Sequence, residues 1–109
     1  FEVELSDDVV KFIYDLEPKI QDKVTYNIQK AKLIKDERIL KKLNKNIWEF
    51  KTRVGYQEIR LLAFWDLTRN SIMIVTHGFF KKTQKTPKIQ IEKAEQFRLN
   101  YYKFKNFKL

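Results

Sequence analysis

Ile72-Met73-Ile74-Val75-Thr76-His77-Gly78-Phe79-Phe80-Lys81-Lys82-Thr83-Gln84-Lys85-Thr86-Pro87 is the stretch on which the fold turns. Its first half is apolar and β-branched, which suits a buried strand over residues 72–79. The strand runs into the chain's single histidine and one of its two glycines. Three lysines then fall within five positions, and Thr86-Pro87 reads as the start of a helix. A strand that delivers cations to a helix N-terminus is a place where phosphate would be held, because ammonium charge and free backbone N–H groups point at one spot.

Two further strands precede this one. Residues 59–67 alternate Ile59, Leu61, Ala63 and Trp65 against Arg60, Leu62, Phe64 and Asp66, and residues 47–53 alternate Trp48 and Phe50 against Glu49 and Lys51. Gly55, free to adopt positive φ, marks the turn between them, and residues 68–71 mark the next. Connections this short join antiparallel neighbours, so the three strands form a meander. At the start of the chain Phe1, Val3 and Leu5 alternate with Glu2 and Glu4, the pattern of a half-buried strand at a sheet edge. Ser6 followed by Asp7 and Asp8 opens a helix, with a capping hydroxyl and acids in the first turn. Val9, Ile13, Leu16, Ile20, Val24, Ile28 and Ala31 then form one apolar stripe, broken at Pro18 into two helices that cover one face of a sheet. Residues 36–43 read as a short helical turn or loop with Ile39, Leu40 and Leu43 facing inward. From Pro87 the spacing of Ile89 or Ile91, Ala94, Phe97 or Arg98, and Tyr101 is helical, and residues 102–109 alternate aromatic and basic side chains. The expected architecture is α+β: a strand, two helices on an antiparallel sheet completed by the meander, and a C-terminal helix, all in one domain over 1–109.

Composition narrows the function classes. No cysteine and one histidine leave neither a disulfide framework nor a thiolate or histidine metal cluster. No apolar run approaches the ~18 residues of a membrane span, and the acidic, alternating opening does not suit a signal peptide, so a soluble cytoplasmic protein is expected. Two glycines cannot build a Gly-rich phosphate loop, which argues against a nucleotide-cofactor enzyme. The net charge of +9 is concentrated: residues 76–109 carry nine Lys/Arg against Glu92 and Glu95. A polyanion such as nucleic acid, or an acidic protein, fits that asymmetry.

Trp48-Glu49-Phe50-Lys51, Ile59-Arg60-Leu61-Leu62 and His77-Gly78-Phe79-Phe80-Lys81-Lys82-Thr83-Gln84-Lys85-Thr86-Pro87 together resemble the phage-derived, HigB-like branch of the RelE/ParE toxin superfamily. The resemblance extends from Phe1 to about Tyr102. It implies the toxin of a type II toxin–antitoxin pair, an mRNA interferase that enters the ribosomal A site and cleaves mRNA without metal or other cofactor. It also implies a helix-turn-helix antitoxin as partner, and operator DNA reached through the antitoxin complex. Two positions depart from the family's usual pattern: Lys51 stands where arginine is common, and Gln90 where a glutamate often opens the last helix. The alternatives are a ParE-like gyrase inhibitor, which shares the fold without the nuclease chemistry, and a non-catalytic nucleic-acid-binding co-repressor.

Cleavage by 2′-hydroxyl attack needs a base, cations on the phosphorane, an acid for the leaving 5′-oxygen, and a nucleotide held in line. Arg60, out of phase with the core residues of its strand, is expected to leave the core face and contact phosphate. Lys81 and Lys82 are expected as transition-state cations or a proton shuttle. His77 has the unperturbed pKa for acid–base work, although an apolar strand end also suits a structural histidine. Lys51 and Arg53, on one strand face across from Arg60, and Lys85 would track the RNA backbone. Tyr101 and Tyr102 could stack on bases, with helix packing the competing use for at least one. Trp48, Trp65 and Phe64 read as core.

Overall fold

The computed structural model describes residues Phe1–Leu109. Eight elements follow in order: β1 (Glu2–Leu5), α1 (Asp7–Tyr14), α2 (Pro18–Leu33), β2 (Leu40–Lys42), β3 (Trp48–Val54), β4 (Gln57–Trp65), β5 (Ile72–Phe80) and α3 (Lys88–Phe104). The strands form one sheet in the order β1-β5-β4-β3-β2. The expected α+β architecture is the one observed, consistent with a RelE-like fold. Two details correct the sequence reading. The sheet is mixed, because β1 lies parallel to β5 while the other pairs are antiparallel. Residues 36–43 do not form a helical turn over their length: Leu40–Lys42 is a fifth strand on the far edge, paired with Trp48–Phe50. Three residues, two of them lysine, carry too little alternation to announce a strand, and pairing with β3 decides the matter.

Ser6 caps α1 by accepting from the Val9 N–H, and its own hydroxyl donates to the Thr76 carbonyl at 2.8 Å, which ties the helix to β5. Pro18 starts α2, and the Gln21 amide donates to the Tyr14 and Leu16 carbonyls at 2.7 and 2.8 Å, satisfying groups that the end of α1 leaves free. The apolar stripe of both helices packs on Phe50, Ile59, Leu61, Ala63, Met73 and Val75 as one core. Gly78 permits that approach: a Cβ there would stand 2.5 Å from the Phe12 ring and 2.7 Å from Leu61. Gly55 opens the two-residue β3–β4 turn at φ +61°, and the exposed Tyr56 completes it.

The opposite face of the sheet carries a second core of Ile47, Leu62, Phe64 and Ile74 beneath Ala94 and Tyr102 of α3. The helix runs further than the tail's alternation suggests. It stops where Asn106 adopts φ +56°, the Phe107 N–H returns to the Tyr102 carbonyl, and the Phe107 ring packs on Tyr102. A β-bulge completes the frame. The β4–β5 register slips between Leu62, opposite His77, and Ala63, opposite Val75, leaving Thr76 unpaired. That one extra residue puts His77 and Phe79 on the α3 side and Gly78 and Phe80 on the α1 side.

Candidate nucleic-acid interface

Both faces of the sheet are covered at the Trp65 end, but the helices leave the hairpin end of β3 and β4 open on the α3 side. The register there sets Lys51 opposite Arg60, Arg53 opposite Glu58, and Arg60 opposite Phe79. The Lys81 N–H donates to the Glu58 carbonyl, so the chain enters the lysine loop beside the same group. The sequence-predicted cations Lys51, Arg53, Arg60, Lys81 and Lys82 therefore meet at one end of the molecule. Lys85 sits further along the loop as an exposed cation.

Arg60 lies out of phase with the Ile59–Leu61–Ala63 core, as expected, but it does not reach solvent freely. The residue is 5% exposed. Its Nη2 donates to Glu58 Oε1 at 2.9 Å, while its Nε stands 3.6 Å from Glu49 Oε1, beyond hydrogen-bond range, and has no partner. Glu49 is itself buried and accepts from the Thr86 hydroxyl. Thr86 thus pins the end of the lysine loop to the carboxylate beside Arg60. The arrangement keeps a guanidinium at the base of the cluster with donor capacity unused.

The electrostatics single out Lys51. Burial lowers its pKa, and the positive charges of Lys41, Arg60 and Lys81 add to the effect while Glu49 opposes it. Crowding of this kind is relieved when an anion arrives. Glu58 is held below the usual carboxylate range, chiefly by the hydrogen bond from Arg60 and further by Lys81 and Arg53. Sequence reasoning gave Lys51 only a tracking role. The signal that singles it out is burial beside Lys41, Arg60 and Lys81, which strand pairing brings together and which has no counterpart in spacing.

Residues 11–98, most of the chain, match the family described as phage-derived protein Gp49-like (DUF891). The chain belongs to this family. Gp49-like proteins are related to RelE-type toxin proteins. A comparison with curated proteins gives no match.

Other predicted residues of this Gp49-like protein lie elsewhere. His77 is 4% exposed and stacks on Phe79, with Nδ1 2.9 Å from the Thr76 hydroxyl and Nε2 2.9 Å from the Gln90 amide oxygen. Burial lowers its pKa, and the charge of Lys93 adds to this, against the hydrogen bond that the ring donates to the Gln90 oxygen. Both ring nitrogens are occupied within the fold. Tyr101 and Tyr102 are at the opposite end of the sheet from the lysine loop. Eight residue steps along β4 separate Glu58 from Asp66 just beyond its end, roughly 26 Å at ~3.3 Å per residue. Tyr102 is buried, donating to the Trp65 carbonyl at 2.7 Å and accepting from the Leu67 N–H at 2.8 Å. The Tyr101 hydroxyl donates to Asp66, a buried carboxylate that also accepts from Thr68, Arg69 and Lys105. Burial alone would raise the Asp66 pKa, but the hydrogen bonds from Thr68, Tyr101 and Arg69 overcome it and hold the carboxyl well below its ordinary range. This network fastens α3 to the β4–β5 turn, and through Arg69 to Glu4 of β1.

Proposed function

We propose that this Gp49-like protein is the toxin of a toxin–antitoxin pair and acts as a ribosome-dependent mRNA endonuclease. One observation carries the reading: a partly buried lysine of lowered pKa, Lys51, faces a buried arginine of unused donor capacity, Arg60, at the end of the sheet where Lys81 and Lys82 emerge. In this reading Lys51 in its neutral form takes the 2′-hydroxyl proton, and the freed oxygen attacks the adjacent phosphorus. Arg60 and Lys81 neutralise the charge that builds on the phosphorane. The P–O5′ bond breaks, and Lys82 gives its proton to the departing 5′-oxygen, leaving a 2′,3′-cyclic phosphate and a 5′-hydroxyl. His77 serves as a support beneath the site. The ribosome presents the mRNA in line, and a helix-turn-helix antitoxin neutralises the toxin by covering its basic face, with operator DNA bound by the pair. The reaction would take place in the cytoplasm; no helix is long and apolar enough to cross a membrane.

The test is purified protein added to a translating extract, with the cut mapped by primer extension, beside a gyrase supercoiling assay. The expected result is cleavage within the A-site codon that Lys82→Ala reduces by ~10²-fold or more, the range for loss of a general acid. Inhibition of supercoiling without mRNA cleavage would transfer the protein to the gyrase-poison class. Neither effect, together with normal growth on expression, would make it a non-catalytic binder.

A further inference from the structure

A second basic surface lies outside the residues just assigned, on the solvent face of α2. Lys19, Lys23, Tyr26 and Lys30 follow at steps of four, three and four, so they share one helix face. Tyr26 is 55% exposed, a large ring set within a row of cations. The ammonium groups of Lys23 and Lys30 lie 5.0 and 6.0 Å from its centroid. Its neighbour Asn27 is buried and donates to the Lys51 carbonyl at 3.2 Å and the Thr52 hydroxyl at 3.1 Å, which fixes this part of α2 against β3. The ring is therefore presented on a rigid base.

Two depressions make this face continuous with the site. One, of about 520 Å³, wraps the edge of β3 that β2 leaves uncovered and has Arg60, Lys51, Arg53 and Lys23 in its wall. The other, of about 770 Å³, holds Tyr26 and shares Lys23 and Arg53 with the first. Lys19, Lys23, Lys30, Lys51 and Arg53 have no carboxylate within salt-bridge distance, although Asp22, Asp36 and Glu58 stand in the same walls. Unpaired cations in a row, with an exposed aromatic ring between them, are the parts from which single-stranded nucleic acid sites are made: ammonium groups follow the phosphates and the ring takes a base.

We propose that Tyr26 is a base-stacking subsite for an unpaired RNA nucleotide, on a path that leaves the Arg60 pocket over the edge of β3 and is followed by Lys23 and Arg53. The path extends the proposed RNA-cleaving site and rests on that reading. A duplex keeps its bases stacked on one another and cannot offer one to the ring, so the ligand is single-stranded.

Fluorescence anisotropy with a 5′-labelled RNA hexamer, without ribosomes, tests this directly. Tyr26→Ala is expected to weaken binding about 5- to 150-fold, the equivalent of one stacked base. Tyr26→Phe should bind as the parent does. Lys23→Ala should reduce the slope of log K against log salt by roughly 0.7. Because Tyr26 is exposed, an unchanged thermal melt is expected for the alanine variant, and comparison with Tyr26→Phe shows that any loss follows the ring. Equal binding by Tyr26→Ala and the parent, tighter binding of the RNA duplex than of the hexamer, or complete displacement by an oligoglutamate peptide would each overturn the subsite. The translating extract separates the two ideas. Cleavage by the parent with Tyr26-independent hexamer binding removes the subsite alone, whereas Tyr26-dependent binding without cleavage leaves the subsite and removes the nuclease.

Discussion

Replacing Arg60 will test fold and chemistry together, and the structure says that alanine alone is the wrong choice. Arg60 is 5% and Glu49 2% exposed, and the two charges face each other at 3.6 Å. Arg60→Ala leaves the Glu49 carboxylate buried with only the Thr86 hydroxyl. Breaking a buried pair in this way costs about 3–5 kcal/mol. A chain of 109 residues has a total stability of roughly 5–15 kcal/mol at ~0.05–0.15 kcal/mol per residue, so the variant loses about a fifth of it or more. With a urea slope near ~2 kcal/mol/M the midpoint should fall by about 1.5–2.5 M. The double variant Glu49→Leu/Arg60→Met removes both charges and keeps apolar volume, and replacements of that kind are neutral or stabilising. It should regain most of the loss while lacking the guanidinium. Urea melts at pH 7 measure the first expectation, and A-site cleavage by the refolded double variant measures the second. A loss below about 1 kcal/mol in Arg60→Ala would refute the claim that the pair is buried and coupled. Undiminished cleavage by a well-folded double variant would remove Arg60 from the chemistry.

Two further variants probe the frame that holds the site. Asp66→Asn should cost about 2–3 kcal/mol at pH 7, because charged hydrogen bonds from Arg69 and Lys105 are lost. Since the folded-state pKa of Asp66 is depressed, its stabilisation is complete above the unfolded value near ~3.9 and drains away as pH falls further; the gap between parent and variant in thermal melts should narrow below about pH 4. A gap that widens in acid would contradict this sign. Gly78→Ala places a methyl 2.5 Å from the Phe12 ring and should destabilise by about 1–3 kcal/mol, whereas adding Phe12→Leu should recover part of that in the same melt.

What could be read from the sequence was whatever depends on near neighbours along the chain. The stripe from Val9 to Ala31, the break at Pro18 and the Gly55 turn follow from spacing and backbone freedom, and each is where it was expected. Arg60 shows where such reading stops. Alternation correctly placed it off the Ile59–Leu61 face, but alternation says nothing of what covers the other face, and there Glu49, Glu58 and the end of the lysine loop enclose it. His77, for which the sequence left acid–base work and a structural role both open, marks the same limit. One unpaired residue, Thr76, inverts the phase of β5 and turns the ring toward Gln90, and a bulge leaves no mark on composition. Tyr101 and Tyr102 were assigned by residue type alone, and only the length of β4 reveals that they stand at the wrong end to meet the same nucleotide as Lys81. Tyr26 is the converse. No reading of the sequence touched it or the lysines of its row, and it gains a claim as a site only because Asn27 fixes the helix beside Lys51 and joins two cationic surfaces that lie far apart in the chain. Distance along the sequence, more than chemistry, decided which residues could be found in advance.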